Sequence, residues 1–212
     1  MKIAIMQPYF FPYIGYFELI KSVDIFVFLN DVQFTKRGWI NRNRIRSLHK
    51  ENENIVIPVK SHKQKTNISE ITPACSNWNA HIYKKIICTY GNKNKIFLNY
   101  FLSLSGHAKL KDILCDSITW TSRYLGLNTI FENSENISKD SGFKKLIEIC
   151  KHFNCNHYIN ACGGINLYNR EDFEKEGVFL EFLEPTKFSN KLSIIDLILT
   201  QEEETKLWLK KS

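Results

Sequence analysis

The side chains best suited to chemistry lie close together in residues 30–45. Asp31 follows an apolar run, a position where α/β enzymes commonly hold a catalytic carboxylate, and we predict that it acts as a general base. The alternative for Asp31 is a turn residue that only orients its neighbours. The side chains that follow can clamp a diphosphate, stack on a base or sugar, and bind hydroxyl groups. The predicted substrate-binding residues here are Gln33, Lys36, Arg37, Trp39, Asn41, Arg42 and Asn43.

A second candidate segment is residues 6–17, where a strand is followed by a proline-bounded loop and then by a helix. The free N–H groups at a helix N-terminus favour anions, and a glycine there lets a ligand approach the backbone closely. We therefore predict further substrate contacts from Gln7, Tyr9, Tyr13 and Gly15. The alternative is a structural turn whose aromatic side chains fill the core.

Other residues could also take part in catalysis. His81, on a predicted helix, is the second candidate for the base, and the alternative is an ordinary surface histidine. Cys162 precedes two glycines and could act as a nucleophile in a sharp turn. Cysteines and histidines occur together between residues 150 and 157, but their spacing differs from that of zinc fingers, so we expect no metal.

Runs of apolar residues predict the elements that hold these side chains in place. A strand, a loop, a helix and a second strand within residues 1–29 are typical of a βαβ unit. More strands are predicted towards the C-terminus, and the middle third is mostly helical. We therefore predict an α/β fold with a mostly parallel, Rossmann-like sheet. Ligands of such sheets bind at the carboxyl ends of strands, here the loops after Met6, Leu29 and Asn160.

We expect a single domain that spans residues 1–212. Its two sheet-forming ends are residues 1–60 and 155–200, and residues 75–153 form a mainly helical insert between them. Residues 30–47 are polar and basic, which indicates a long loop or an irregular ribbon. A further strand is predicted shortly before position 60, and its proline places it near a sheet edge or a bulge.

The positive charge of the chain is concentrated in one segment. The formal net charge is +7, and residues 32–50 contain six lysines and arginines but no aspartate or glutamate. Positive charge confined to one short segment indicates a binding site for a small anion more than a broad nucleic-acid surface. A tRNA partner is the alternative. No apolar run is long enough to span a membrane, and the N-terminal run is too short for a signal peptide. We expect a cytoplasmic protein whose six cysteines are free thiols.

The sequence resembles the WbqC-like protein family over nearly its whole length. The family pattern begins with Gln-Pro-x-Phe-x-Pro-x-x-Gly-Tyr-Phe, and a second specific motif follows the next strand. The matching residues are Gln7–Phe17, Asp24, Asp31–Asn43, Pro58 with Val59, Trp78, His81, Tyr158–Gly164 and Leu192–Leu197. One departure is the segment before Lys191, which lacks the family's usual Tyr-x-Gln element, so the resemblance does not imply a binding contact from this part of the second half.

Members of this family occur in bacterial gene clusters for O-antigens, a part of lipopolysaccharide, and for other surface polysaccharides. The resemblance therefore implies an enzyme that makes or decorates an unusual sugar, with a nucleotide-linked sugar as its substrate. The leading hypothesis is a transferase that moves an acyl or aminoacyl group, such as glycyl, onto the amine of a nucleotide-linked amino sugar. The sugar, the donor, any cofactor and the oligomeric state stay open.

Two alternatives come from other functional classes. The nucleotidylyltransferase superfamily begins its first helix with His-x-Gly-His, which binds the phosphates of ATP. The corresponding residues here are Tyr13, Ile14, Gly15 and Tyr16. Tyrosines in place of both histidines argue against adenylyl transfer but leave a shared nucleotide-binding layout open. The other alternative is a protein that binds tRNA or another nucleic acid.

Overall fold

The centre of the protein is a parallel β-sheet. The structure, a computed structural model, describes residues 1–184 and 191–210. The strands in this part are β1 (Lys2–Met6), β2 (Ile25–Phe28), β3 (Arg42–Arg46), β4 (Asn52–Val56), β5 (Ile130–Asn133), β6 (His157–Ala161) and β7 (Phe179–Leu183). The sheet has the order β5-β2-β1-β6-β7, and all neighbouring pairs are parallel. The predicted α/β fold with a Rossmann-like sheet is confirmed.

Helices cover both faces of this sheet. They are α1 (Ile14–Lys21), α2 (Trp78–Tyr90), α3 (Lys95–Ser103), α4 (Leu110–Tyr124), α5 (Gly142–His152), α6 (Arg170–Lys175), α7 (Ile194–Thr200) and α8 (Glu202–Lys210). Most of them enclose a larger apolar core on one face, whereas α5 and α6 enclose a smaller core on the other. Successive residues of β1 point to opposite faces, so Ala4 lies in the larger core and Ile3 and Ile5 lie in the smaller one.

The central strands β1 and β2 are mostly apolar because both of their faces are buried. All four residues of β2 are buried, and β2 pairs with β1 from Ile3–Ile25 to Met6–Phe28. The helix α1 connects these two strands, which makes the predicted βαβ unit. This unit fixes the directions of the loops after β1 and β2, where most of the candidate site residues lie.

The middle third of the chain is mostly helical and also completes the sheet. The helices α2, α3 and α4 follow one another, and the chain then enters β5, which pairs with β2 at the sheet edge. The rings of Tyr100, Trp120 and Tyr124 stack between α3 and α4, with centroid distances of 3.9 and 4.8 Å. The helical insert is thus joined to the sheet through β5.

An antiparallel ribbon of β3 and β4 lies apart from the parallel sheet. Within residues 30–47, where the sequence indicates a loop or an irregular ribbon, β3 is a regular strand that pairs with β4 over five residues. β4 ends two residues before Pro58, because proline cannot donate a ladder hydrogen bond. Residues 1–60 therefore supply two strands to the parallel sheet and two to the ribbon.

The C-terminal helices pack back onto the N-terminal half. Asp196, on α7, is 1% exposed and accepts a hydrogen bond from the Tyr90 hydroxyl at 2.8 Å. Arg46 of β3 lies 3.3 Å from the same carboxylate. Burial, with the Asp196 carboxylate, raises the pKa of Tyr90 well above its ordinary value, so its hydroxyl stays a donor. The Leu-Ser-Ile-Ile-Asp-Leu motif therefore attaches α7 to the ribbon and to α2.

Among the described helices, none has the length and apolar character that a membrane span requires. The segment just before Lys191, where the sequence departs from the family pattern, lies outside the described residues.

Candidate functional site

The topological switch point of the sheet lies between β1 and β6. From β1 the chain moves outward to β2 and β5 on one side, and it then returns to β6 and β7 on the other. Ligands of open α/β sheets bind at the carboxyl end of the strands near such a point. Residues 7–13, after β1, and the short turn Cys162–Gly164, after β6, flank it.

Hydrogen bonds from distant residues fix the loop after β1. Asn43 Nδ2 donates to the carbonyls of Phe10 and Phe11 at 3.1 and 2.7 Å. The Ser193 hydroxyl donates to the Phe11 carbonyl at 2.7 Å, and the Phe10 amide donates to the Ile40 carbonyl at 2.9 Å. The loop is thus attached to β3, to the segment before it and to the start of α7.

The side chain of Asn41 is engaged in the same way. Asn41 is buried, and its side-chain Nδ2 donates to the backbone carbonyl of Ile57 at 2.8 Å. The backbone carbonyl of Asn41 accepts a hydrogen bond from the Ile57 amide. Substrate binding by Asn41 and Asn43 stays a prediction. Their amide nitrogens already hold the ribbon and the β1 loop in place, so their clearest contribution is to position other groups.

The aromatic residues of the β1 loop pack on one another. The Tyr16 hydroxyl donates to the Gln7 carbonyl at 2.8 Å, and the Tyr9 hydroxyl lies 3.4 Å from Gln7 Oε1. The Tyr13 ring covers Gly15, where a Cβ atom would come within 2.5 Å of it. The glycine thus makes room for Tyr13. Burial raises the pKa values of Tyr9 and Tyr13, so both phenols remain hydrogen-bond donors at neutral pH.

Asp31 lies just beyond β2, and both of its carboxylate oxygens have partners. Lys145 Nζ donates to Oδ2 at 2.6 Å, and the Ser134 hydroxyl donates to Oδ1. Lys145 also donates to the Ser138 carbonyl at 3.0 Å. The Lys145 side chain is 5% exposed, and a buried ammonium is costly unless it is paired. Asp31 keeps 18% of its surface open, and its free lone pairs can accept another proton.

The open side of Asp31 faces a cleft of about 780 Å³, here called the Asp31 cleft. It is lined by Asp31, Ser69, Glu135, Asn136, Ile137, Ser138 and Lys139. Lys111 Nζ holds Glu135 through contacts of 2.9 and 2.7 Å to its two carboxylate oxygens. Hydroxyl, amide and charged groups predominate, so the cleft suits a hydroxylated or amine-bearing ligand.

A second cleft, of about 300 Å³ and here called the basic cleft, gathers positive charge. It is lined by Phe34, Lys36, Arg37, Asn41, Val59, Lys60, Ser61 and His62. The structure thus brings the predicted Lys36 and Arg37 together with Lys60 and His62. Arg37 has a φ of 63°, in the left-handed region that residues other than glycine rarely adopt. Such conformations concentrate at ligand-binding sites, and this one fits an anion site.

One extended segment connects the two clefts. Residues 30–34 run antiparallel to residues 64–69 and are held by backbone hydrogen bonds. Asp31 lines the Asp31 cleft near one end of the segment, and Phe34 lines the basic cleft at the other. Three extended residues span roughly 10 Å. The exposed Gln33 lies between Asp31 and Phe34.

Trp39 and Arg42 form a cation–aromatic group next to the residues of the basic cleft. Arg42 Nε donates to the Gly38 carbonyl at 2.8 Å, and its Nη2 donates to the Arg37 carbonyl. The guanidinium carbons of Arg42 and Arg44 lie 5.7 and 5.2 Å from the centre of the Trp39 ring. Arg42 therefore shapes the loop that carries Arg37. Trp39 is 47% exposed, so part of its ring surface is open to a ligand.

The structure does not bring His81 together with Asp31. His81 is exposed on α2, on the same helix as Lys85, which pairs with Glu53 at 3.0 Å. Asp31 instead contacts residues that follow β5 and lie on α5. Cys162 is half-buried in the turn after β6 and lies close enough to Tyr13 to raise the pKa of that phenol, after the larger effect of burial.

The cysteines and histidines between positions 150 and 157 do not meet in one place. Cys150 and Cys155 are buried in the smaller core, and burial raises the pKa of Cys150 to about 12. His157 pairs with Glu181 at 2.7 Å instead. In the described part of the chain, no group of three or more cysteine, histidine or acidic side chains could hold a metal ion.

The sequence interpretation missed Lys60, His62, Ser134 and Lys145. Residues 60–65 contain three lysines and a histidine. The sequence alone therefore indicates a second basic segment, which could have been assigned to the same anion site as residues 32–50. Lys145 is 114 positions from Asp31, and nothing in its own helix marks it as the buried member of a lysine pair. That contact depends on the packing of α5 beneath the loop after β2.

The fold and the two clefts define an α/β protein with a Rossmann-like sheet and polar clefts on the segments that follow β2. The chain belongs to the WbqC-like protein family, whose sequence profile matches residues 7–207. It is 28% identical over 167 residues to an uncharacterized protein of Mycobacterium tuberculosis, Rv1507c, and the match covers 76% of this chain and 72% of that protein. No solved structure matches the chain.

Proposed function

We propose that this protein is a cytoplasmic enzyme of bacterial surface-polysaccharide biosynthesis. It transfers an acyl or aminoacyl group, such as glycyl, to the amine of a nucleotide-linked amino sugar. The observation that carries the proposal is the arrangement of the basic cleft and the Asp31 cleft at the two ends of one extended segment. The association of the family with polysaccharide gene clusters supports a sugar substrate.

A nucleotide-linked amino sugar has the same order of groups as the two clefts. Its diphosphate suits the basic cleft, where Arg37 can bind two phosphate oxygens at once and Lys36 and Lys60 add positive charge. Its sugar, with hydroxyls and an amine, suits the Asp31 cleft. The separation of roughly 10 Å along the segment is within reach of one such molecule.

The transfer needs a base next to the amine. The neutral amine nitrogen attacks the carbonyl carbon of the donor, and a C–N bond forms while the bond to the leaving group breaks. The nitrogen loses a proton in this step, and Asp31 accepts it on the side that is open to the cleft. The proton then passes to the leaving group, which restores the carboxylate for the next cycle.

Lys145 and Ser134 act on this reaction through Asp31. They donate to different oxygens of its carboxylate, so they fix the direction of the lone pairs that remain. A base held in this way needs little reorganisation when the proton moves, which is the advantage of a preorganised site. They are positioning residues in this proposal, and Asp31 is the catalytic residue.

Calorimetric titration with UDP- and dTDP-linked amino sugars tests the binding part of the proposal. The unmodified protein should bind at least one of them, and Arg37→Ala should weaken that binding by about 10- to 150-fold. This range corresponds to the loss of about 1.5–3 kcal/mol for hydrogen bonds to a charged group.

The matched control is Lys93→Ala, which removes an exposed positive charge outside both clefts and should leave the affinity unchanged. Equal affinity of Arg37→Ala and the unmodified protein, or no binding of any nucleotide-linked amino sugar, would contradict the proposed site.

A further inference from the structure

The net charge of the molecule resides in one structural unit. Residues 32–65 contain nine lysines and arginines but two glutamates, so their net charge equals the +7 of the whole chain. The remaining residues contain as many acidic as basic side chains. In the fold this unit consists of β3, β4 and the loops that flank them, and we call it the basic ribbon. A diphosphate carries fewer negative charges than the basic ribbon has positive ones.

One face of the ribbon carries a row of arginines. Arg42, Arg44 and Arg46 alternate along β3 with two buried residues, and side chains two positions apart on a strand are roughly 6.6 Å apart. The residues opposite them on β4 are Val56, Asn54 and Asn52. Arg46 also contacts Asp196 and keeps 54% of its side chain exposed. Across the ribbon, therefore, the arginine row faces no carboxylate.

Trp39 supplies an aromatic surface beside these arginines. The ring is 47% exposed, and the guanidinium groups of Arg42 and Arg44 lie against it. An exposed aromatic ring flanked by cations is the arrangement that stacks on an unpaired nucleobase while the cations contact its phosphates. The packing of the protein core does not require so large an exposed ring.

Two lysines extend the charge beyond the basic cleft. Lys63 and Lys65 are exposed in the loop that follows β4, and neither of them lines the cleft. This loop lies against the extended segment, where Gln33 Nε2 donates to the Gln64 carbonyl at 2.8 Å. The positive surface therefore continues past the place that the substrate diphosphate would fill.

We infer that the basic ribbon binds RNA through a single-stranded end, with a base stacked on Trp39 and phosphates along the arginines and lysines. Duplex RNA hides its base edges in a deep and narrow groove, whereas an unpaired end can stack on an aromatic ring. The ribbon also carries more charge than a small anion needs, which favours a polyanion over a second nucleotide.

The choice of RNA rests on the proposed function. An aminoacyl group esterified to the 3′ end of an RNA is an activated donor with a polyanionic body. The sugar amine attacks the ester carbonyl, a C–N bond forms, and the C–O bond to the ribose breaks. The proton from the amine passes to Asp31 and then to the ribose oxygen, so no other reactant is required.

Fluorescence anisotropy with a labelled RNA hairpin tests the inference. One hairpin has a single-stranded 3′ overhang of about four nucleotides, and a second hairpin has a blunt end. The overhang should be needed for tight binding, and Trp39→Ala should weaken binding by roughly 5- to 150-fold, as expected for one stacked base. In a plot of log affinity against log salt concentration, the negative slope should become shallower by about 1.4 in the double variant Lys63→Ala/Lys65→Ala, because two phosphate contacts are lost.

The double variant Lys93→Ala/Lys95→Ala removes two exposed lysines outside the basic ribbon and should keep the salt dependence of the unmodified protein. Equal binding of the two hairpins, an unchanged affinity of Trp39→Ala, or binding to anionic phospholipid vesicles but not to RNA would overturn the inference. Titration of the same preparations with a nucleotide-linked amino sugar separates this result from the proposed function, since sugar binding without RNA binding refutes the RNA inference alone.

Discussion

At the scale of single residues, the contact between Asp31 and Lys145 gives the clearest sign of function. A lysine that is 5% exposed must lose most of its hydration, and its contacts with Asp31 at 2.6 Å and with the Ser138 carbonyl at 3.0 Å offset part of this cost. Apolar residues of similar volume would be at least as stable in such a place. Asp31 lies at the wall of the Asp31 cleft, where the proposed reaction requires a fixed carboxylate.

We predict that Lys145→Met destabilises the protein by up to about 3 kcal/mol, because it leaves Asp31 with an unpaired and partly buried charge. Denaturant unfolding measures this change. Adding Asp31→Asn to the same chain should recover part of the loss, since the unpaired charge is then gone. In enzyme assays Lys145→Met should lower kcat more than it raises KM, and Lys145→Arg should restore part of kcat.

The neighbouring residue offers a matched control for this experiment. Lys144→Met changes an exposed lysine on the same helix and should alter stability by less than about 0.5 kcal/mol. If Lys145→Met were as stable and as active as Lys144→Met, the pair would have no positioning role.

At the scale of elements, β3 holds the loop that follows β1. The amide of Asn43 donates to two carbonyls in that loop, and the start of α7 adds the contact from Ser193. These bonds connect three segments that are distant in the chain. Each of the segments 7–17, 31–43 and 192–197 supplies part of one hydrogen-bonded junction.

We predict that Asn43→Ala destabilises the protein by about 1–3 kcal/mol, because the Phe10 carbonyl loses its side-chain donor and the Phe11 carbonyl keeps only the bond from Ser193. Hydrogen exchange should become faster at the Phe10 amide, whose bond to Ile40 depends on the same junction. The control Asn54→Ala, at an exposed position across the ribbon, should change stability by less than about 0.5 kcal/mol. Unchanged exchange in the β1 loop of Asn43→Ala would refute the role of the junction.

The sequence predicted some of these elements better than others. The βαβ unit and the parallel sheet follow from continuous apolar strands and from their spacing, so both were predictable. The alternation in Arg-Asn-Arg-Ile-Arg also indicates a strand with Asn43 on its buried side. This pattern predicts a structural role for Asn43 in place of substrate binding. Lys60, in contrast, joins Lys36 only because β4 returns the chain antiparallel to β3.

At the scale of the whole molecule, the proposed function rests on the layout of the two clefts. The extended segment after β2 connects the basic cleft to a carboxylate that is held from α5 and from the loop after β5. Neither cleft belongs to one element, so the site requires the parallel sheet, the ribbon and the helix on the far face together. Contacts between residues so far apart in the chain, such as that of Asp31 with Lys145, could not be deduced from local sequence patterns.

The most direct test of this account compares Asp31→Asn with Arg37→Ala in a single-turnover assay. A nucleotide-linked amino sugar is incubated with acyl-CoA or aminoacyl-RNA donors, and mass spectrometry follows the acylated sugar. Asp31→Asn should bind the sugar nearly as well as the unmodified protein but form product about 10²- to 10⁴-fold more slowly, because it lacks the base. Arg37→Ala should bind weakly and approach the normal rate at saturating sugar. Full product formation by Asp31→Asn would contradict the account.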